Sequence, residues 1–189
     1  PVVFHNLKNY DSSFIIKHFQ RKYAERTDPK TGNITIDDVN VIPLNGQKYL
    51  MFEVGRLRFL DSFQFLSTSL GSLTDMLLKC GKDKFVHTVR HFKTDDPLLF
   101  AKGVYPYSYM DSRERFVETE LPPKEKFYNA LTEEDLSEED YERAQETWKR
   151  FGIENMEDYH NFYLKLDVLL LADVFEYFRR TMYSKHKLD

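Results

Sequence analysis

Residues 163–175 constrain the fold more than any other part of this sequence, because apolar side chains occupy nearly every position of the segment. The apolar positions are Tyr163, Leu164, Leu166, Val168, Leu169, Leu170, Leu171, Val174 and Phe175. A helix that is apolar on almost all of its faces has to be buried. We therefore predict a long core helix from about residue 156 to residue 183. No apolar run approaches the length of a membrane span, so we predict no membrane-spanning helix and no membrane partner.

Asp167 lies in the middle of this apolar run. A buried carboxylate is costly unless it is paired, hydrogen-bonded or bound to a cation. Tyr163 comes four residues earlier, so its phenol lies on the same helix face and can point to the same place. Two interpretations are open for Asp167. It is either structural, as the cap of a loop or the partner of a neighbouring Lys or Arg, or a ligand at a functional site.

Length and charge are those of one soluble globular domain. The chain has 189 residues, and 27 Lys and Arg against 31 Asp and Glu give a net charge of −4. Acidic residues concentrate at 133–158, whereas 1–30 and 79–102 are net basic, so the net charge does not exclude a nucleic-acid partner.

The lone Cys80 cannot form an internal disulfide. This indicates an intracellular setting, with nuclear, mitochondrial, viral and bacterial cytoplasmic locations all open.

The order of local patterns predicts an α/β fold with a β-α-β-β-β first half. The signals are a strand at 2–5, a helix at 12–26, and strands at 34–42, 48–54 and 56–60. Asn45-Gly46 predicts a hairpin, because both central residues of a type I′ turn need positive φ. We also predict a helix at 63–79, and a helix through Trp148 that begins at a capping box from Ser137 to Asp140. A single domain spans residues 1–189, with an irregular and helical insertion at about 103–155.

A second polar cluster follows the first predicted strand. Asp11 offers an anionic ligand there, and Asn6 offers an amide that both donates and accepts. An Asx-turn with a helix cap explains this cluster equally simply. Alternatively, Asp11 and Asp167 share a divalent cation while the Tyr163 phenol orients a water, as metal-assisted phosphodiester hydrolysis requires. Hard oxygen ligands suit Mg²⁺ or Mn²⁺. Metal catalysis normally takes more than two carboxylates.

Four segments together resemble the exonuclease part of family B DNA polymerases. Asn6-x3-Tyr10-Asp11 and Tyr163-x3-Asp167 are similar to the second and third exonuclease motifs, and the matching segments are 3–11, 57–66, 102–107 and 163–175. The resemblance is to the protein-primed branch of bacteriophages, linear organellar plasmids, adenoviruses and self-synthesising transposons. It implies a ribonuclease H-like 3′–5′ exonuclease fold, with a mixed β-sheet flanked by helices and its first strand or strands missing.

The resemblance also implies catalytic roles. Asp11 and Asp167 would be ligands of a two-metal Mg²⁺ or Mn²⁺ site, and Tyr163 would orient the attacking water. Lys102 matches the catalytic lysine of the family, which would neutralise charge on the scissile phosphate. Tyr107 matches a nearby supporting tyrosine, and we expect it to contact DNA.

Further residues would bind the DNA strand. By the same resemblance, Asn6 and Tyr10 would hold the frayed 3′ end, and the Tyr10 ring would stack on a base. Ser62 with Phe63 matches the motif that grips a single-stranded primer, although Phe63 stands where leucine is usual. Residues 69–73 match the same short pattern, so either segment can carry that role.

The resemblance implies a DNA-directed DNA polymerase with proofreading. The expected partners are the single-stranded primer 3′ end, the remainder of the polymerase and a terminal priming protein. The family's first motif, an Asp-x-Glu on an early strand, has no counterpart, and residues 183–189 resemble the join into the polymerase palm. We therefore expect these residues alone to be a weak or inactive nuclease. Two alternatives are a non-catalytic module that binds single-stranded DNA or a protein, and a generic α/β scaffold in which Asp11 and Asp167 are structural.

Overall fold

A computed structural model describes residues 1–7, 12–22, 26–27, 30, 34–35, 39–45, 48–130 and 133–187. The chain divides into two compact units, unit 1 (residues 1–68) and unit 2 (residues 69–189). The prediction of one domain with an insertion stays a prediction. The elements in chain order are β1 (Val2–Phe4), α1 (Ser12–Lys22), β2 (Arg26–Thr27), β3 (Ile34–Thr35), β4 (Val39–Asn45), β5 (Lys48–Val54), β6 (Leu57–Asp61), α2 (Leu70–Cys80), α3 (Val86–Phe92), α4 (Glu138–Arg150) and α5 (Met156–His186).

Unit 1 contains a four-stranded mixed sheet in the order β1-β6-β5-β4. Strands β1 and β6 are parallel, with Val3 opposite Leu60. Strand β5 is antiparallel to both of its neighbours. The predicted α/β class is therefore confirmed, as is the β4–β5 hairpin, in which Asn45 pairs with Lys48. Helix α1 ends at Lys22, earlier than predicted, and β2 and β3 form a separate two-stranded ladder.

The core of unit 1 packs helix α1 and Leu7, which lies three residues after β1, against the sheet. The rings of Phe52 and Phe59 stack 4.6 Å apart on neighbouring strands. The buried residues of this core are Leu7, Ile16, Phe52, Val54 and Phe59. Cross-strand aromatic pairs of this kind stabilise an antiparallel ladder by about 0.2–1 kcal/mol.

Unit 2 is helical, and side chains cap three of its helices. The side chains of Ser69, Ser137 and Asn155 accept hydrogen bonds from backbone amides at the starts of α2, α4 and α5. The predicted capping box at Ser137 is confirmed. The prediction of one helix over 63–79 is wrong, because residues 62–64 form a separate 3-10 turn and the Ser69 cap starts α2 at Leu70.

Helix α5 has the length predicted from its apolar run. Its buried side chains recur at spacings of three and four residues, which is one stripe of an α-helix; they are Met156, Tyr159, Tyr163, Leu166, Leu170, Asp173 and Val174. Leu164 and Val168 are 52% and 60% exposed. Burial on every face was therefore too strong an expectation. Within the described ranges, no helix is long and apolar enough to cross a membrane.

Asp173 anchors helix α3 to helix α5. Its carboxylate accepts hydrogen bonds from the backbone amides of His87 and Thr88, at 2.7 and 3.0 Å. The Thr88 hydroxyl donates a third at 2.7 Å. Asp173 and Thr88 are buried, so these bonds replace water for every group involved. The start of α3 is thereby fixed to the middle of α5.

Candidate functional site

Three side chains of unit 2 meet at the phenol of Tyr163, which lies on the buried stripe of α5. The Lys102 ammonium donates to the Tyr163 oxygen at 3.1 Å. The Tyr107 and Tyr163 hydroxyls are 2.7 Å apart. Lys102 also lies 3.8 Å from Asp167 Oδ2, one helical turn along α5. We call these four residues the Tyr163 site.

The Tyr163 phenol stays protonated at every physiological pH. Burial, the nearby Asp167 charge and the Tyr107 hydrogen bond all raise its pKa far above the ordinary tyrosine value. Tyr163 is 8% exposed, so water reaches it poorly. A phenol in this state donates and accepts hydrogen bonds and does not act as a base.

Asp167 carries a buried oxygen that lacks a partner. Its Oδ1 atom has no hydrogen bond within the part of the chain that the structure describes. Burial raises the pKa of Asp167, while Lys102 and Tyr163 partly offset that rise. An unsatisfied buried acceptor costs about 1–3 kcal/mol. Such an oxygen is a suitable ligand for a hard cation.

An aromatic wall holds the Tyr163 ring in place. The Tyr105 ring stacks on it with centroids 5.0 Å apart. The Tyr105 hydroxyl in turn lies 2.7 Å from His160 Nδ1, one turn before Tyr163 on α5. Packing on one side and hydrogen bonds at its tip therefore restrict the ring to one orientation.

Gly103 allows the chain to pass close to the Tyr163 ring. A Cβ at this position would lie 3.1 Å from Cδ2 and 3.5 Å from Cε2 of Tyr163. The first distance is below ordinary van der Waals contact, so a methyl group displaces the ring. The glycine next to Lys102 thus sets the approach of the lysine segment to α5.

We expect Gly103→Ala to shift the Tyr163 ring and to destabilise unit 2 by about 1–3 kcal/mol, the usual cost of overpacking. Thermal unfolding measures the loss. Gly71→Ala is the matched control, because its Cβ meets nothing closer than 3.9 Å. It lies in helix α2, where alanine is favoured over glycine by about 0.5–1 kcal/mol. Equal melting temperatures for the two variants would contradict the close approach at Gly103.

In unit 1, a carboxylate joins the ends of the two parallel strands. Asp61 Oδ1 accepts hydrogen bonds from the backbone amides of Asn6, at 2.8 Å, and Phe63, at 3.0 Å. Asn6 has φ = 70°, a left-handed conformation that asparagine adopts more readily than most residues. The carboxyl ends of parallel strands are the usual binding edge of an α/β sheet.

Ser62 is buried beside this carboxylate. Its hydroxyl donates to the Phe4 carbonyl at 2.8 Å and lies 3.0 Å from His5 Nδ1. The other ring nitrogen of His5 lies 2.7 Å from the Thr68 carbonyl. Because Ser62 is fully buried, its hydroxyl holds the strand ends together and does not face solvent. The half-buried Phe63 packs its ring 5.3 Å from the His5 ring.

The predicted site residues thus fall into three groups. Lys102, Tyr107, Tyr163 and Asp167 meet in unit 2. The predicted DNA-binding residues Asn6, Ser62 and Phe63 meet in unit 1. Asp11 and Tyr10 lie outside the described residues. Among those described, no group of three or more His, Cys, Asp and Glu could hold a metal ion. Asp167 therefore fits one ligand position of a metal site and does not form such a site with described neighbours.

Sequence reasoning missed the contributions of His5, Asp61 and Tyr105. The sequence did contain a signal for Asp61, because this carboxylate ends an apolar strand just as Asp167 interrupts an apolar helix. The roles of His5 and Tyr105 depend on partners 55 or more residues away, and no local pattern indicates them.

The family comparison covers the whole chain. The model of DNA polymerase type B, organellar and viral, matches residues 1–189. No curated protein and no solved structure matches the chain. The match includes both the strand-end segment with Asn6 and the helix that carries Tyr163 and Asp167. The chain therefore belongs to the organellar and viral type B DNA polymerases.

Proposed function

We propose that the chain carries the 3′–5′ proofreading exonuclease of a protein-primed DNA polymerase, with the Tyr163 site next to the scissile phosphodiester. Family membership supplies the coarser statement: the family is one of DNA-directed DNA polymerases that take part in DNA replication. The observation that carries the finer proposal is the buried, unpartnered Oδ1 of Asp167 beside the Lys102 ammonium.

The side chains divide the work as follows. Asp167 would hold a Mg²⁺ or Mn²⁺ ion, together with Asp11 from the segment after β1. Such an ion polarises a phosphate oxygen and lowers the pKa of a bound water. Lys102 is 36% exposed and would pair with the phosphate charge that accumulates during hydrolysis. The Tyr163 phenol stays neutral and would orient the attacking water through a hydrogen bond.

A ribonuclease H-like fold is part of the proposal. The mixed sheet of unit 1 supports it, because β1 and β6 run parallel while β5 runs antiparallel to its neighbours β6 and β4. We propose that Asn6, Tyr10 and Phe63 contact the primer 3′ end at the carboxyl ends of β1 and β6. Ser62 would take part through its bonds to Phe4 and His5.

A non-catalytic module that binds single-stranded DNA or a protein is the second candidate. This candidate requires no metal-binding group, and the described side chains form none. The proposed partners are shared by both candidates: the primer 3′ end, the remainder of the polymerase and a terminal priming protein. We place both inside the cell, in a nucleus, mitochondrion, viral factory or bacterial cytoplasm.

The polarity and metal dependence of strand cleavage test the proposal. We expect a polymerase chain that contains these residues to shorten a 5′-labelled single strand stepwise from its 3′ end with Mg²⁺ or Mn²⁺. We expect EDTA to stop the reaction, because the hydrolysis requires the ion. Binding of the strand without shortening would favour the non-catalytic module, and cleavage that continues in EDTA would contradict the metal mechanism.

A further inference from the structure

A cleft of about 510 Å³ in unit 2 opens next to the Tyr163 site. Its lining comes from residues 102–105 and 107, residues 127–129, residues 134–137 and 140, and Tyr163. The volume lies within the range of about 300–1,000 Å³ that small-molecule sites occupy. Lys102, Tyr107 and Tyr163 belong both to the Tyr163 site and to this cleft, so a ligand in the cleft can also reach the site.

Aromatic rings make up much of the lining. Tyr107 and Tyr128 are 62% and 41% exposed, although each has a large ring. Phe127 and Tyr105 complete the aromatic part of the wall. Exposed aromatic rings along a cleft are stacking surfaces for nucleobases, because every base presents a π-face. The shape and the rings therefore match a planar ligand.

The cleft lining carries charge of both signs, on two different segments of the chain. Lys102 supplies an ammonium where the cleft meets the Tyr163 site. The carboxylates of Glu134 and Asp135 are exposed on the other segment of the lining. Asp140 also lines the cleft, but it is already paired with Arg143 at 2.6 Å. A phosphate is attracted to the lysine and repelled by the carboxylates, whereas an uncharged base is not repelled.

We propose that this cleft binds one unpaired nucleotide of single-stranded DNA, with its base against Tyr107 and Tyr128 and its phosphate toward Lys102. The inference rests on the proposed function, because it places the neighbouring phosphate at the Tyr163 site. Carboxylates accept hydrogen bonds from exocyclic amino groups, which cytosine, adenine and guanine carry and thymine lacks. Glu134 and Asp135 therefore make the cleft prefer amino-bearing bases over thymine.

Binding of fluorescein-labelled oligodeoxycytidylate and oligodeoxythymidylate tests the proposal. Anisotropy is measured with the 189-residue chain at low salt in EDTA, so that no metal-dependent cleavage contributes. We expect the deoxycytidylate probe to bind several-fold more tightly than the thymidylate. We expect Tyr128→Ala to weaken deoxycytidylate binding by about 5- to 150-fold, which corresponds to the roughly 1–3 kcal/mol of one stacked base.

Three further variants make the result specific. Tyr128→Phe keeps the ring and should bind within about twofold of the parent. Tyr183→Ala removes an exposed tyrosine of α5 that does not line the cleft, so it should bind like the parent. Glu134→Gln combined with Asp135→Asn changes two exposed side chains and should abolish the preference for deoxycytidylate while leaving the fold intact.

Parent-like affinity of Tyr128→Ala, or no binding of either probe at low salt, would overturn the cleft assignment. These outcomes are distinct from failure of the proposed function. A polymerase chain that cleaves DNA but whose affinity is independent of Tyr128 refutes the cleft and retains the nuclease. Tyr128-dependent binding without cleavage retains the cleft and refutes the nuclease.

Discussion

Asp167→Asn is expected to slow 3′–5′ cleavage by about 10²- to 10³-fold, the size of effect that loss of one preorganised electrostatic group produces. Asparagine keeps the shape of the side chain but removes the charge that would hold the ion and pair with Lys102. The measurement is the rate at which a 5′-labelled single strand loses nucleotides in Mg²⁺. It uses a polymerase chain that contains these residues.

Glu157→Gln is the matched control for this variant. Glu157 is an exposed carboxylate in the first turn of the same helix, so the substitution removes one negative charge from α5 without touching the Tyr163 site. Its cleavage rate should stay within about twofold of the parent, because exposed charges are screened by solvent. If both variants cleave equally fast, Asp167 is not a ligand.

The substitution Asp167→Asn should also stabilise the protein at high pH in the presence of EDTA. Since burial raises the pKa of Asp167, ionisation costs the folded state free energy. That cost is absent below the unfolded-state pKa and is fully present above the folded-state pKa. Asp167→Asn should therefore have a higher melting temperature than the parent at pH 8. The difference should shrink on acidification toward pH 4. A lower melting temperature for the variant at pH 8 would contradict this.

Asp173→Ala is expected to destabilise unit 2 by about 3–5 kcal/mol. The substitution removes the acceptor of three hydrogen bonds and leaves the amides of His87 and Thr88 and the Thr88 hydroxyl unsatisfied. Asp173 is 1% exposed, so water cannot replace the lost carboxylate without opening the packing. The melting temperature should fall by roughly 10 °C, and hydrogen exchange of the two amides should accelerate.

Two comparisons test the cause of this loss. Asp173→Asn retains one carbonyl acceptor and should fall between the parent and the alanine variant. Asp75→Ala removes an exposed carboxylate of α2 and should change stability by less than about 0.5 kcal/mol. A melting temperature of Asp173→Ala within about 2 °C of the parent would show that α3 does not depend on this carboxylate.

The two acids of α5 show how far sequence reasoning extends. Asp167 is conspicuous in the sequence because this acidic residue interrupts an apolar run. Counting three and four residues from Tyr163 passes through Leu166 and Leu170 to Asp173, which lies on the buried stripe, whereas Asp167 lies at its edge. The argument from burial therefore applies more strongly to Asp173, where the carboxylate forms structural hydrogen bonds. Periodicity identified the helix and its length, but partners decide what each acid does.

Local signals predicted the Ser137 cap and the hairpin, because those contacts involve residues a few positions apart. Ser137 bonds to an amide three residues on. The hydrogen bond between Lys102 and Tyr163 connects residues 61 positions apart, and the one between Asn6 and Asp61 connects residues 55 positions apart. Such pairings depend on how the elements pack. Here only the family resemblance indicated Lys102, whereas helical spacing already linked Tyr163 to Asp167. The wrong prediction of one helix over 63–79 has a local origin instead, because the Asp61 and Ser69 side chains cap two separate helical segments.

The anchor at Asp173 and the phenol at Tyr163 belong to one uninterrupted helix, ten residues and therefore about 15 Å apart along its axis. Each residue of an α-helix advances by about 100° around that axis. One residue inserted between the two positions would rotate Tyr163 away from Lys102 while Asp173 still held α3. Substitutions between these two positions of α5 therefore leave both contacts in place, whereas an insertion or a deletion there separates them.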